Sequence, residues 1–228
     1  TERGAQLTKK LLYLSKKRAI DTQDVDLNNI LRDMEQVLER TMTPSIKFEL
    51  ELDEYVKPVT IDPCYFEDSV INLCVNAMHA MDGEGELSIK TKAGIAIDAA
   101  LAKTHSVKPG MYASLTVHDT GCGIDKFELE KIFDPFYSTK GDGGTGLGLS
   151  QVYSFASQSG GFIEVDSESG TGTSFSLFFP QDQTPKDLIS PGQASHRDDL
   201  QSQSKEETRE LSGKETILVV DDERALLN

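Results

Sequence analysis

The sequence predicts an α/β domain, a two-layer sandwich in which helices cover a mixed, mostly antiparallel sheet. Two kinds of pattern predict it. Several segments place apolar residues at the spacing of an amphipathic helix, and short runs between them alternate apolar and polar residues as half-exposed strands do. Hydrophobic residues make up 37% of the 228 residues, enough for one modest core with surface or linker left over. Such a pattern favours two packed layers.

The elements follow in chain order. Asp26 is placed to cap a helix over residues 27–40, and a longer helix begins at Asp62 and ends near Met81. Residues 46–52 alternate apolar and acidic side chains, which predicts a half-exposed strand. The remaining predicted elements are strands at 86–91, 112–118, 161–166 and 173–179, a helical or loop insertion at 98–110, a short helix ending near Ile132 and a helix over 149–159.

This pattern assigns the domain to residues 26–180, with other material on both sides. Residues 1–25 carry a leucine stripe among basic residues, as an amphipathic helix does. Residues 181–213 are rich in Gln, Ser and acidic residues and contain no aromatic side chain, which predicts a flexible linker. Residues 214–228 start a new β-prone run. We therefore expect a piece of a longer protein.

Charge and cysteine content narrow the function classes. The formal charge of −15 and the pI near 4.6 argue against a nucleic-acid partner. No apolar run approaches the roughly 18 residues of a membrane span, so we expect a cytoplasmic chain without membrane contact, whatever anchors the parent. Cys64, Cys74 and Cys122 lack metal-ligand spacing and indicate a reducing compartment. Cys64 and Cys74 are predicted to be small buried residues.

Two clusters place polar side chains beside the predicted core. Asn72 and Asn76 are four residues apart on the predicted helix, so both amides project from one face. Amide oxygens suit Mg²⁺, and a simple pair on the helix surface is the alternative. Asp119 ends a strand and precedes Gly121 and Gly123. Its carboxylate can accept a hydrogen bond from an exocyclic amine while the glycines let backbone approach a ligand, and a plain tight turn is the alternative.

Two further clusters are an aromatic segment and a glycine-rich segment. Residues 133–140 contain three aromatic side chains and end in Lys140, which is able to reach a phosphate. Residues 143–148 are rich in glycine and lead into a helix, whose N-terminus attracts anions. A flexible loop is the alternative. The segment is not a Walker loop, because it does not end in Gly-Lys-Ser or Gly-Lys-Thr.

In order and spacing, these clusters resemble the nucleotide-binding boxes of sensor histidine kinases in the GHKL superfamily. The matching segments are residues 72–81 with the N box, 119–124 with the first glycine box, 133–136 with the F box, 144–148 with the second glycine box and 170–173 with the last, smaller glycine element. The resemblance covers about residues 26–180. It implies the Bergerat-type ATP-binding fold.

The resemblance implies a role for each matched residue, with ATP and Mg²⁺ as cofactors. Asp119 would bind the adenine amine. Asn76 would ligate Mg²⁺ with Asn72 assisting, and Lys140 would complete the catalytic set by neutralising phosphate. Other implied nucleotide-binding residues are His79, Gly121, Gly123, Ile124, Phe133, Gly144, Thr145, Gly146, Leu147, Gly148 and Thr173. Residues between Phe133 and Gly148 would form a mobile lid.

One departure from the family pattern concerns the phosphates. Many members carry Lys or Arg three residues after the second asparagine, where this chain has His79. A neutral imidazole neutralises phosphate less well, so Lys140 would carry more of that task.

Two other functions compete with a kinase. ATP hydrolases of the same superfamily resemble one another in placing a glutamate where this chain has Asn72. An amide cannot take a proton from water at neutral pH, so Asn72 favours transfer to another nucleophile. A non-catalytic nucleotide-binding scaffold is the second alternative. The intact Asn76, Asp119 and glycine boxes argue against it.

The implied partners lie mostly outside the chain. The family's phosphate acceptor is a histidine on an exposed helix, and none of the chain's histidines fits. They are His79 in the nucleotide helix, His105 in a loop, His118 in a strand and His196 in the linker. Residues 1–25 resemble the end of the dimerisation hairpin, whose acceptor helix would lie upstream.

The C-terminal residues point to a hybrid kinase. Residues 214–228 resemble the opening of a receiver domain, and Asp221 and Asp222 match its acidic Mg²⁺-binding pair. The resemblance therefore implies a homodimeric hybrid kinase. Its hairpin and its receiver domain would be the partners of the ATP-binding domain.

Overall fold

A computed structural model of the chain describes residues 21–139 and 144–181. Most of the proposed hairpin remnant, nearly all of the linker, the receiver segment and the side chain of Lys140 lie outside the described residues. So do His196, Asp221 and Asp222. The described residues fall almost entirely within the ATP-binding domain predicted from the sequence.

The described chain contains seven strands and five helices. The strands are β1 (Gln23–Val25), β2 (Ile46–Glu51), β3 (Val59–Ile61), β4 (Gly85–Ile97), β5 (Gly110–Asp119), β6 (Phe162–Glu168) and β7 (Gly172–Pro180). The helices are α1 (Leu27–Thr41), α2 (Pro63–Ala80), α3 (Ala99–His105), α4 (Lys126–Leu129) and α5 (Gly148–Gln158).

A five-stranded sheet in the order β2-β4-β5-β7-β6 forms one layer. β2 is parallel to β4, and the other neighbouring strands are antiparallel. The predicted α/β class with a mixed, mostly antiparallel sheet is confirmed. β1 and β3 form a separate antiparallel pair that the sequence did not predict. Each of these strands is only 3 residues long, too short for an alternating pattern to stand out.

Aspartate side chains begin several helices. Asp26 accepts hydrogen bonds from the backbone N–H groups of Asn28 and Asn29 and so caps α1, as predicted. Asp62 caps α2 in the same way, and Asp98 caps α3. These carboxylates satisfy donors that the first helical turn leaves without an intrahelical partner.

The insertion at 98–110, predicted as helical or loop, is helical in its first part. It contains α3, and its last residue already belongs to β5. His105, predicted in a loop, is the last residue of α3 and stacks on Phe162 with ring centroids 4.1 Å apart. The sequence alone did not distinguish a helix from a loop in this segment. The Asp98 cap and the ring contact of His105 both stabilise the helix.

Apolar residues of α1, α2 and α5 join one face of the sheet in a single core. The apolar stripe of α2, formed by Phe66, Val70, Leu73 and Ala77, is at most 3% exposed. Phe66 meets Phe179 of β7 edge to face, with centroids 6.1 Å apart. The adjoining face of α2, which carries the two asparagines, is thereby held at a fixed place relative to the sheet.

The cysteines are all free thiols but differ in environment. Cys74 is buried, and burial raises the pKa of its thiol to about 12. Cys64 is only half-buried and Cys122 is exposed. The prediction of a buried residue is therefore confirmed for Cys74 and wrong in degree for Cys64.

No helix within residues 21–139 and 144–181 combines the length and the apolar character that crossing a bilayer requires.

A buried polar link ties α1 to β4 and to the loop after β2. The Asn28 side chain, on a residue that is 4% exposed, donates to the Asp53 carbonyl oxygen at 2.9 Å. Its Oδ1 accepts from the Thr91 hydroxyl at 2.8 Å. The Thr91 hydroxyl in turn accepts from the Asp53 backbone N–H at 3.0 Å. Each group in this link depends on the others, because water has little access.

We expect Asn28→Ala to lower the free energy of unfolding by about 1–3 kcal/mol, since it leaves the Thr91 hydroxyl and the Asp53 carbonyl without their partner. Urea denaturation measures the change. Asn29→Ala is the matched control, because Asn29 lies next to it on α1 but is exposed. The control should change stability by no more than about 0.5 kcal/mol. Equal effects of the two substitutions would contradict a special role for the buried link.

Candidate nucleotide-binding site

The inner face of the sheet changes from apolar to polar at one end. Directly paired residues of neighbouring strands share a face, so each cross-strand row can be followed across the sheet. One inner row consists of Ile89, Val117, Phe175 and Val165. The next row, at the end of the sheet, consists of Leu87, Asp119, Thr173 and Ser167. Three polar side chains thus border the core on the side covered by helices.

Asp119 is the charged member of this row and is 4% exposed. Its Oδ1 accepts a hydrogen bond from the Gly121 N–H at 2.9 Å. Burial raises the pKa of this carboxyl above its usual range, while hydrogen bonds from the Gly121 and Thr173 backbones and the nearby His118 act in the opposite direction. A buried carboxylate needs further donors to offset desolvation. An exocyclic amine of a ligand would supply them.

The loop after Asp119 packs closely on its neighbours at its two glycines, where no side chain would fit. A Cβ on Gly121 would lie 2.6 Å from the Ala80 carbonyl carbon, at the end of α2. Gly123 has φ +69° and a Cβ there would overlap the Glu168 carbonyl oxygen. The Cys122 N–H also donates to the Ala80 carbonyl at 3.0 Å. The two predicted glycines therefore hold the loop against α2 and β6.

Ser167 is a site residue that the sequence analysis missed. Its Oγ accepts from the Ile124 N–H at 2.8 Å, donates to the Gly172 carbonyl at 2.9 Å and lies 2.9 Å from the Thr173 hydroxyl. It thereby joins two predicted site residues, Ile124 and Thr173. The available signal was the alternation in β6, which puts Ser167 on the same face as Ile163 and Val165, where an apolar residue is expected.

The amide face of α2 lies next to the start of α5. Asn72 and Asn76 are both half-buried, as expected for residues at the border of the core. A Cβ on Gly148 would lie 3.1 Å from Asn72 Oδ1, so the second glycine segment approaches the first asparagine closely. Leu147 occupies the position before α5, and no side chain caps that helix. Its first N–H groups therefore suit an anion.

His79 follows on the same face of α2, three residues after Asn76, and is exposed. Its Nδ1 lies 2.7 Å from the Val75 carbonyl oxygen. Because a carbonyl only accepts, Nδ1 carries the proton in this contact. Nε2 is then the ring nitrogen left to meet a ligand.

The aromatic segment and the second glycine segment meet through their backbones. The Phe136 N–H donates to the Gly146 carbonyl at 2.8 Å, and the Phe133 ring contacts Tyr153 of α5 with centroids 5.4 Å apart. Thr145 is exposed, and its hydroxyl accepts from the Leu147 N–H at 3.4 Å. Residues 140–143 between these segments, with Lys140, lie outside the described residues. Gly144 is described and half-buried.

The structure thus arranges the predicted residues in two groups joined by α2. Asp119, Thr173 and the loop glycines form a carboxylate end. Asn72, Asn76 and Gly148 form an amide face, and the last turn of α2 packs on Gly121. His118, in contrast, lies on the outer face of the sheet, where its Nδ1 is 2.9 Å from Ser174 Oγ.

We expect Gly123→Ala to destabilise the domain more than Gly170→Ala. Both glycines have positive φ, which costs another residue roughly 1–2 kcal/mol, but a Cβ on Gly170 meets no atom within 4 Å. The overlap at Gly123 should add about 1–3 kcal/mol. Urea denaturation of the two variants checks the difference. Equal losses would show that the Glu168 backbone moves away without cost.

Comparison with known proteins agrees with this geometry. Residues 65–183, more than half of the chain, match the family described as histidine kinase-, DNA gyrase B- and HSP90-like ATPase. The chain is 38% identical over 226 residues to the sensor kinase CckA of Brucella abortus, a match that covers 98% of this chain and 23% of that protein. It is 32% identical over 180 residues to the sensor histidine kinase ZraS of Salmonella typhimurium, covering 78% of this chain and 36% of that protein.

The fold has a counterpart among solved structures. The nucleotide-free catalytic domain of the histidine kinase ThkA superposes with a TM-score of 0.55 at 25% identity, covering 70% of this chain and 95% of that one. The described residues therefore have the fold of a histidine kinase catalytic domain. The chain spans only a minor part of the curated relatives' length. It belongs to the family of histidine kinase-, DNA gyrase B- and HSP90-like ATPases.

Proposed function

We propose that this domain binds ATP with Mg²⁺ and transfers the γ-phosphate to a histidine on the dimerisation hairpin of the same kinase. The observation that carries the proposal is the buried Asp119 carboxylate at the end of a polar row, beside a helix that carries two asparagines four residues apart.

The carboxylate end is suited to adenine. Asp119 is an acceptor in a buried place, and its remaining capacity matches the amino group of the base. The close packing of Gly121 on Ala80 fixes the loop backbone beside Asp119. A flat base can then lie against backbone, with Ile124 and Thr173 at its border.

The amide face is suited to the phosphates and the metal. Among the described residues, no group of three or more His, Cys, Asp or Glu side chains is arranged to hold a metal ion. Asn76 would ligate Mg²⁺ through its amide oxygen, with Asn72 assisting and the phosphates supplying the other oxygens. Mg²⁺ would neutralise charge on the transferring group. The uncapped start of α5 and, beyond the described residues, Lys140 would hold the phosphates.

Transfer is favoured over hydrolysis by the chemistry of Asn72. Activation of water requires a base within hydrogen-bond reach, and an amide does not take up a proton at neutral pH. Positioning and electrostatic stabilisation remain, and they suffice for phosphoryl transfer to an incoming nucleophile. A separate hairpin would present that nucleophile.

The parent protein is proposed to be a homodimeric hybrid kinase in the cytoplasm. The match to the CckA sensor kinase runs through 98% of the chain and so includes residues on both sides of the domain. The proposed hairpin remnant (1–25), linker (181–213) and receiver start (214–228) surround the catalytic domain (26–180). The free thiols of all three cysteines fit a reducing compartment.

We expect Asp119→Asn to weaken ATP binding by roughly ten- to a hundredfold, because a hydrogen bond to a charged group contributes about 1.5–3 kcal/mol. Calorimetric titration with ATP and Mg²⁺ measures the change. Since burial raises the pKa of Asp119, lowering the pH should protonate it and reduce wild-type affinity at a higher pH than for an ordinary aspartate.

The asparagine variant is also the control for that pH dependence. ATP itself titrates, so the ratio of wild-type to variant affinity isolates the carboxyl. The ratio should fall toward one as the pH is lowered. A ratio that does not change with pH, or equal ATP binding by both proteins, would remove Asp119 from the adenine site.

We expect the chain not to label itself with γ-labelled ATP but to label a hairpin domain of the parent supplied separately. The rate should rise with hairpin concentration, because no covalent tether raises the effective concentration. Asn76→Ala should slow transfer by roughly a hundredfold, as loss of an electrostatic stabiliser does. Asn29→Ala, an exposed asparagine on α1, is the matched control and should label normally.

Two outcomes would contradict the proposed reaction. Release of inorganic phosphate without label on any protein would indicate an ATP hydrolase. Tight ATP binding with neither label nor phosphate release, at high hairpin concentration, would indicate a nucleotide-binding scaffold.

A further inference from the structure

The Ser167 hydroxyl makes three polar contacts at once. The Ile124 N–H lies 2.8 Å from its oxygen, the Gly172 carbonyl oxygen 2.9 Å and the Thr173 hydroxyl 2.9 Å. A hydroxyl has one proton to donate and two lone pairs with which to accept. The three contacts therefore use the full capacity of Ser167.

Only one assignment of protons satisfies all three contacts. The Ile124 N–H can only donate, and the Gly172 carbonyl can only accept. Ser167 must therefore give its single proton to Gly172. In the contact between the two hydroxyls, Thr173 is then the donor.

This assignment determines what Thr173 can offer to a ligand. Thr173 is 3% exposed and pairs directly with Asp119 across the two strands, so their side chains share the inner face. With its proton directed at Ser167, the Thr173 hydroxyl presents only lone pairs. The Asp119 carboxylate also presents only acceptors. A ligand at this end of the site must supply donors.

We propose that Ser167 is a positioning residue that sets base selectivity by fixing the direction of the Thr173 hydroxyl. This inference rests on the proposed ATP site and adds a residue to it. Ser167 lies one strand beyond Thr173 in the terminal row and acts through it. Its effect is that the side chains of Asp119 and Thr173 both act as hydrogen-bond acceptors toward the base. Two acceptors favour a 6-amino purine, which donates, over a 6-oxo purine, which does not.

Inosine triphosphate is the matched probe for this effect. It differs from ATP by an oxygen in place of the 6-amino group, with a proton on the adjacent ring nitrogen, and the sugar and phosphates are the same. Its oxygen would face the acceptors of Asp119 and Thr173. We expect the 228-residue chain to bind it roughly a hundredfold or more less tightly than ATP.

The decisive variant is Ser167→Ala. Without its partner, the Thr173 hydroxyl is free to turn and donate to the 6-oxo group. We expect the ratio of ATP affinity to inosine triphosphate affinity to fall about tenfold, the factor that one hydrogen bond of about 1.4 kcal/mol corresponds to. Calorimetric titration of both nucleotides with Mg²⁺ gives the ratio.

Two further variants separate this role from simple packing. Ser167→Thr keeps the hydroxyl and should restore the wild-type ratio. Ser176→Ala removes a hydroxyl from a similar pair, because Ser176 Oγ lies 2.9 Å from Thr116 Oγ1 on the outer face of the sheet. The Ser176→Ala variant should leave the ratio of the two affinities unchanged. If Ser167→Ala does not fold, Ser167→Cys replaces it and should lower the ratio by a smaller factor, since a thiol is a weak acceptor.

The outcomes distinguish this inference from the proposed function. A lower ratio in Ser167→Ala alone, restored by threonine, supports the positioning role. If Ser167→Ala lowers the affinity for both nucleotides equally, the ratio stays unchanged. That result overturns the positioning role but does not contradict the proposed ATP-binding function. If the unmodified chain binds neither nucleotide, the proposed function itself fails.

Discussion

A buried carboxylate is the constraint on which the site depends. Asp119 is enclosed at the end of the sheet, where desolvation disfavours its charge. The domain offsets part of that cost with backbone donors from Gly121 and Thr173. The Gly121 donor is available only because the loop turns back tightly against Ala80, where a side chain would not fit. In the proposed site the remaining acceptor capacity would select a ligand that donates.

Helix α2 connects this pocket to the proposed chemistry. One face of the helix carries the apolar stripe that packs on the sheet, and the adjoining face carries the two asparagines. Because the stripe is buried, the amides cannot rotate away from the site. The C-terminal end of the same helix supports the loop after Asp119. In the proposed site a single rigid element would therefore set the distance between base recognition and phosphate binding, which phosphoryl transfer requires.

The proposed transfer chemistry depends on the two amides of that helix. Amide oxygens bind a hard cation without serving as a base for water. The nucleophile is then proposed to come from another domain. In the proposed scheme the hairpin delivers that nucleophile, while base selectivity is set at the far end of the sheet by Asp119, Thr173 and Ser167.

The sequence by itself determined the fold class, the main helices and strands, and the residues at the two ends of the site. Those features depend on local periodicity and on motif spacing, as in the stripe of α2 and the asparagine pair. Tertiary structure alone decided the short strands β1 and β3, the helix at α3 and the inclusion of Ser167. Their stability or role comes from partners distant in sequence: Val59 for β1, Phe162 for His105 and Ile124 for Ser167. No local pattern specifies these contacts, and only the folded chain brings the partners together.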